Sequence, residues 1–158
     1  MANEIKFSLN GEDKVFTGNP SERLLDVLRE VYGFTGTKIG CKEGECGACA
    51  VIIDGNLANS CLVAMGSVEG SAVTTIEGYS KTERFAALSS AYESVSAVQC
   101  GFCIPGMIMA SETLLASNAH PTEEEIRVGI SGNLCRCTGY NSIVKAIGIA
   151  AREGDGLW

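Results

Sequence analysis

Eight cysteines carry most of the chemistry available to this 158-residue chain, and they fall into two sets of four. In the first set, Gly40-Cys41-Lys42-Glu43-Gly44-Glu45-Cys46-Gly47-Ala48-Cys49 brings three thiols and three glycines into ten residues, and eleven residues separate Cys49 from Cys61. C-x4-C-x2-C with a distant fourth cysteine is the ligand spacing of a plant-type [2Fe–2S] cluster. Ligands this close in sequence must come from a loop wrapped around the centre they bind. Such a loop needs residues that tolerate positive φ or close backbone approach, and glycine does both. Its amide N–H groups can then point at the sulfurs and tune the potential.

The second set is Cys100, Cys103, Cys135 and Cys137, in a C-x2-C…C-x-C pattern. Cys100-Gly-Phe-Cys103 immediately precedes a helix with Pro105 in its first turn, and Cys135-Arg-Cys137 precedes the last helix. Two helix N-termini thus converge on one point, and their free N–H groups and positive dipole ends favour an anionic, thiolate-ligated centre. Ligands two residues apart can share a centre only if the backbone turns sharply between them. Structural zinc also accepts four thiolates, usually from two CxxC-like pairs on separate knuckles. In the first set three ligands share one loop, which favours iron–sulfur. For the second set, zinc or a redox dithiol stays open on spacing alone.

Composition narrows the alternatives. Eight cysteines in 158 residues lie below the roughly 8–10% that marks a disulfide scaffold. The start, Met-Ala-Asn-Glu-Ile-Lys-Phe, shows no secretory signal and no twin-arginine pair precedes it, so a cytoplasmic, thiol-compatible setting is expected. A net charge of −7 without a basic patch argues against nucleic acid as a partner. No run of eighteen apolar residues suggests a membrane span. The only histidine, His120, excludes Rieske ligation, which needs two. Nothing resembles a phosphate loop, an HExxH helix or a triad, and Ser60 beside Cys61 has no companion base. Glu123, Glu124 and Glu125 read as the acidic first turn of a helix, and Met65, Met107 and Met109 as core. Arg136, between two proposed ligands, either offsets charge or faces water. Gln99, from its exposure statistics, reads as a solvated edge residue.

Two kinds of element must position the cysteines. Ile5–Leu9 alternates apolar and polar residues, Asn10-Gly11 signals a hairpin, and Val15-Phe16-Thr17 closes a second strand. Leu24, Val27, Leu28 and Val31 predict an amphipathic helix ending near Gly33. Ala50–Ile53, turned by Asp54-Gly55, and a stretch around Ala72–Thr75 predict further strands. Beyond residue 78 the pattern is helical: Phe85, Leu88, Tyr92 and Val95 share one face, and Met107, Ile108, Leu114 and Leu115 follow Pro105. Thr122 with Glu125 forms a capping box ahead of Ile126 and Ile130, and Ile143, Val144, Ile147 and Ala150 mark the last helix. The fold class is α+β, with a domain at 1–78 and a four-helix domain at 79–158, joined by a polar, glycine-containing linker near 69–83.

Three segments together resemble the small iron–sulfur subunit of the xanthine dehydrogenase (molybdenum hydroxylase) family: Cys41-Lys-Glu-Gly-Glu-Cys46-Gly-Ala-Cys49, Gln99-Cys100-Gly-Phe-Cys103-Ile-Pro-Gly, and Gly132-Asn-Leu-Cys135-Arg-Cys137-Thr-Gly-Tyr140. Ile104 departs from the threonine common in the family. The resemblance implies a β-grasp plant-type ferredoxin-like domain followed by an all-α [2Fe–2S]-binding domain. Cys41, Cys46, Cys49 and Cys61 would hold one [2Fe–2S] cluster, and Cys100, Cys103, Cys135 and Cys137 the other. It implies a large molybdopterin-binding partner subunit and a medium FAD subunit, both separate chains because this sequence stops at Trp158. Gln99 and Cys137 would lie against the pterin, and electrons would pass through the helical-domain cluster, then the ferredoxin-like cluster, to FAD or another acceptor. The rivals are a free-standing two-cluster ferredoxin and a zinc-stabilised interaction module.

Overall fold

The computed structural model describes residues 3–158. β1 (Asn3–Leu9) and β2 (Glu12–Gly18) form an antiparallel hairpin, and α1 (Leu24–Glu30) follows. A long irregular loop then leads to a second hairpin, β3 (Ala50–Ile53) and β4 (Asn56–Asn59). Both hairpin turns, Asn10-Gly11 and Asp54-Gly55, have positive φ at each central residue, the geometry that matches strand twist. β5 (Ala72–Thr74) enters the middle of the sheet, parallel to β1 and antiparallel to β3, giving the order β2-β1-β5-β3-β4. The alternating residues Ile5, Phe7 and Leu9 bury one face against Leu24, Val27 and Leu28 of α1, the β-grasp arrangement.

Helices make up the second half: α2 (Ile76–Tyr79), α3 (Glu83–Ser94), α4 (Ile104–Ser117), α5 (Glu123–Gly129) and α6 (Asn141–Glu153). The capping box of Thr122 and Glu125 is present, and α6 packs on α3 through Ile143, Ala146, Ile147 and Ala150. Four of these helices match the predicted ones, and α2 is an additional single turn. Among the described residues no helix is long and apolar enough to cross a membrane.

The segment 69–83 is not a linker. It contains β5, an interior strand of the sheet, and α2, whose Tyr79 is buried and donates its hydroxyl proton to Glu112 at 2.5 Å. Its polar residues are spent on internal bonds: Asn10 and Thr75 clasp each other, and Glu77 accepts from Thr75 and from the amide of Gly36. Ala50, Ile52 and Leu57 on the sheet pack into the helical core, so the two halves share a packed boundary.

Candidate metal centres

All eight cysteines are free thiols, and they are brought together as four pairs. In the sheet half, Cys41 lies beside Cys46 and Cys49 beside Cys61. In the helical half, Cys100 Sγ is 3.5 Å from Cys137 Sγ, and Cys103 lies beside Cys135. Among the described residues no three ligand side chains converge as a single metal ion would require. Two thiolates per iron is what a two-iron cluster asks of its protein, so the paired arrangement fits [2Fe–2S] better than mononuclear zinc.

The first site is built by the loop between α1 and β3. The amides of Glu43 and Glu45 donate to Cys41 Sγ at 3.3 and 3.4 Å, and the Cys41 amide donates to Cys46 Sγ at 3.4 Å. Amides of Glu43, Cys46 and Glu45 turned toward its sulfur draw the Cys41 thiol down to about 7. A Cβ on Gly40 would lie 2.5 Å from Cys46 Sγ, so the loop closes tightly around its sulfurs. Cys61 arrives on a 3₁₀ turn at the end of β4, and Cys49 and Cys61 pack against Leu25 of α1. Ser60, with no base to activate it, instead donates to the Cys49 carbonyl at 2.7 Å, and Asn59 donates to the Gly44 carbonyl at 2.9 Å. Burial pushes the Cys49 thiol up to about 11.

The second site lines a cleft of about 510 Å³ with Cys100, Cys103, Cys135, Cys137, Phe102 and Tyr140. Cys103 is the N-cap of α4 and Tyr140 the N-cap of α6, so the two helix starts do converge. Burial pushes the Cys103 thiol up to about 12. Burial also raises Cys135, but bonds from Thr138 and Cys137 outweigh it and leave the thiol below its ordinary value. Cys100 is lowered by the Phe102 amide and by Cys137, and Cys137 is raised by its bond with Cys100. Gln99, Cys100 and Cys137 are exposed, and so are the apolar side chains of Val98, Phe102 and Leu134. Arg136 faces outward on the rim of the cleft.

The two sites touch. Leu134 N donates to the Cys46 carbonyl at 2.9 Å, and Asn133 Nδ2 donates to the Gly47 carbonyl at 3.0 Å. Leu134 adjoins Cys135, so one hydrogen bond joins a cysteine of one set to the neighbour of a cysteine of the other. Gly47 has φ +68, and a Cβ there would lie 2.4 Å from the Gly132 carbonyl; a Cβ on Gly106 of α4 would lie 2.4 Å from the Gly47 carbonyl. Glycine at both positions is what lets three backbones meet. Asn133, buried at 4% exposure, was not legible from sequence, because an asparagine before a cysteine motif looks like any loop residue. Thr138 and Tyr140 lie in the quoted motif without a role that spacing could assign.

Comparison with known proteins follows the same division. The 2Fe-2S iron-sulfur cluster binding domain family matches residues 7–72, and the [2Fe-2S] binding domain family matches residues 75–148. The nicotinate dehydrogenase small FeS subunit of Eubacterium barkeri is 46% identical over 149 residues, covering 94% of this chain and 95% of that protein. The xanthine dehydrogenase iron-sulfur-binding subunit of Escherichia coli O157:H7 is 43% identical over 145 residues, covering 90% and 91%. The crystal structure of quinoline 2-oxidoreductase from Pseudomonas putida 86 contains a chain that superposes with a TM-score of 0.88 at 44% identity, covering 97% of this chain and 98% of that one.

Proposed function

We propose that this chain, which belongs to the family of small [2Fe–2S] subunits of xanthine and nicotinate dehydrogenase-type molybdenum hydroxylases, relays electrons from a molybdopterin-bearing large subunit to FAD on a medium subunit or to another acceptor. It is the iron–sulfur, electron-transfer member of a hetero-oligomeric oxidoreductase complex, and it carries two [2Fe–2S]-binding domains, which we assign to 1–78 and 79–158. Cys41, Cys46, Cys49 and Cys61 would hold one cluster, and Cys100, Cys103, Cys135 and Cys137 the other. When bound, each cluster supplies a one-electron couple.

The protein's part is to hold the two sites at a fixed separation, insulate them and aim them. The observation that carries the reading is the contact between the loops: the Leu134 amide on the Cys46 carbonyl, backed by Asn133 on Gly47. A fixed backbone link between ligand loops is what a relay needs and what two independent cofactor domains would lack. The direction rests on exposure. Cys49 and Cys61 are buried, whereas Cys100 and Cys137 open onto a surface flanked by apolar side chains, as a subunit interface would be. We assign Gln99 and Cys137 to the contact with the pterin.

Cys137→Ser in the assembled complex tests this reading. The expected outcome is loss of iron from the helical site and loss of substrate-driven reduction of the chain. Retention of both clusters with full substrate-driven reduction would overturn the assignment of Cys137.

A further inference from the structure

Cys135, Thr138 and Tyr140 close a ring of three hydrogen bonds. The Cys135 amide donates to the Tyr140 hydroxyl at 3.0 Å, the Tyr140 amide donates to Thr138 Oγ1 at 3.2 Å, and the Thr138 hydroxyl donates to Cys135 Sγ at 3.1 Å. The ring fixes a proton that is otherwise free to rotate. A threonine hydroxyl has one hydrogen and two lone pairs. With the Tyr140 amide occupying its acceptor side, its single hydrogen is directed at the Cys135 sulfur. Tyr140 adopts φ 69 and ψ −26, a left-handed conformation that a non-glycine residue adopts only when its surroundings enforce it. That conformation turns its amide toward Thr138 and lets its ring return its hydroxyl to Cys135. At the other site, the donors to Cys41 and Cys46 sulfurs are backbone amides, which only proline would remove, at the cost of the loop's geometry.

We propose that Thr138 is a positioning residue that raises the reduction potential of the helical-domain centre by donating its hydroxyl proton to Cys135. The proposal rests on the functional reading above, in which Cys135 ligates iron. A hydrogen bond to a ligand sulfur stabilises the more electron-rich, reduced state more than the oxidised one. Thr138 thereby makes the helical site a better acceptor for an electron arriving from a partner. No electron is consumed by the threonine, and its proton stays on oxygen throughout.

The test is a redox titration of the complete complex followed by electron paramagnetic resonance, on the wild type, Thr138→Val and Thr138→Ser. Two one-electron waves and four irons in this chain of the wild type are the premise; their absence overturns both the functional reading and this inference. Given that premise, T138V is expected to shift one wave, on the order of tenfold in its reduction equilibrium, or 59 mV for one electron, toward lower potential. T138S keeps the hydroxyl and is expected to restore the wild-type value, while the other wave stays fixed in all three proteins. An unchanged T138V with four irons, or an equal shift of both waves, overturns the inference and leaves the functional reading standing. If T138V loses iron, Thr138→Ala takes its place and is read the same way: a shift of one wave toward lower potential supports the inference, and an unchanged wave overturns it.

Discussion

Gly106→Ala is the substitution for which helix propensity and tertiary geometry disagree most clearly. Gly106 lies in the first turn of α4, behind Cys103 and Pro105. Alanine is the better helix former by up to about 1 kcal/mol, less in a terminal turn, so the local argument expects stabilisation. The Cβ, however, would lie 2.4 Å from the Gly47 carbonyl oxygen, 3.1 Å from Asn133 Nδ2 and 3.3 Å from the Gly47 carbonyl carbon. Two of these are backbone atoms, and the third, Asn133 Nδ2, belongs to a buried side chain held by its bond to Gly47. Gly47 is held between Cys46 and Cys49, and its oxygen is already bonded to Asn133. Overpacking of a filled site costs about 1–3 kcal/mol. Displacing Gly47 also weakens the Asn133 bond, worth about 1 kcal/mol. The steric terms exceed the propensity gain, and the net expectation is destabilisation of about 2 kcal/mol. At about 2–4 °C per kcal/mol for a chain of this size, the melting temperature should fall by roughly 4–8 °C. The assay is thermal unfolding of the iron-loaded complex at a fixed scan rate under anaerobic conditions. Gly148→Ala is the internal control. Its Cβ would meet only Arg152 Nη1 at 3.6 Å and Ile126 Cδ1 at 3.8 Å, ordinary contacts, so it should raise stability by about 0.5–1 kcal/mol. A Gly106→Ala protein as stable as the wild type, or more so, would refute the close approach of α4 to the first cysteine loop.

Three further outcomes are expected. Asn133→Ala removes the buried side-chain donor from the Gly47 carbonyl, which keeps only the Ala50 amide at 3.1 Å, and should lower stability by about 1 kcal/mol, read as a shifted urea midpoint at unchanged slope. In the metal-free chain, Cys41 is held at about 7 by the amides around its sulfur, and burial holds Cys49 near about 11 and Cys103 near about 12. Iodoacetamide should therefore modify Cys41 first, with a rate that rises through pH 7, and Cys49 and Cys103 last; mapping by peptide mass spectrometry would expose a different order. The same shifts fix the sign of the linkage: the contribution of Cys41 to stability is present above its ordinary pKa and lost as pH falls through about 7, whereas those of Cys49 and Cys103 are present below theirs and lost as pH rises through about 11 and about 12. Trp158→Phe removes the indole donor at 2.7 Å from the buried Glu112 carboxylate, which also accepts from Tyr79 and Arg84; the melting temperature monitored by circular dichroism should fall by an amount matching about 1 kcal/mol, and an unchanged value would mean the C-terminal residue is not docked.

The sequence was legible where a residue's type and spacing alone constrain what it can do. Thiols at C-x4-C-x2-C have few other uses, the C-x2-C…C-x-C set gains its meaning from its company, and the helices α3 to α6 carry periodicity or caps. What was not legible depends on neighbours far along the chain. β4 reads Asn-Leu-Ala-Asn, four residues with no β-branched side chain, and becomes a strand only because the Asp54-Gly55 turn folds it onto β3. α2 is a single turn held by Tyr79, whose partner Glu112 lies 33 residues away. Polar residues at 69–83 gave the pattern of a linker, since composition cannot tell a solvated side chain from one bonded inside the fold. Asn133 illustrates this at the site itself: its partner is 86 residues distant, and nothing near it in sequence announces that it will be buried.

The second cysteine set lies on the outer face of the fold, with Cys100 and Cys137 exposed, as the proposed relay direction requires. The first loop has the more recognisable pattern, but two of its four thiols are buried under α1 and the third and fourth are half-covered by their own amides. An electron carrier bound to a partner subunit needs one edge open to that partner and another some distance away. The helical site supplies the first edge through Cys100 and Cys137, with Phe102 and Leu134 exposed around it. Leu62, 65% exposed and packed against Gly44 of the first loop, supplies an apolar flank at the other site. Between the two lie the Cys46–Leu134 hydrogen bond, the Asn133 clamp and the close approach of Gly47 to Gly106 and Gly132. Leu134 therefore serves two surfaces at once: its side chain lies on the outward face and its amide holds the inner contact. The same argument explains why the two halves could not be joined by a free tether. Any slack between them would open the gap that the glycines at 47 and 106 keep closed.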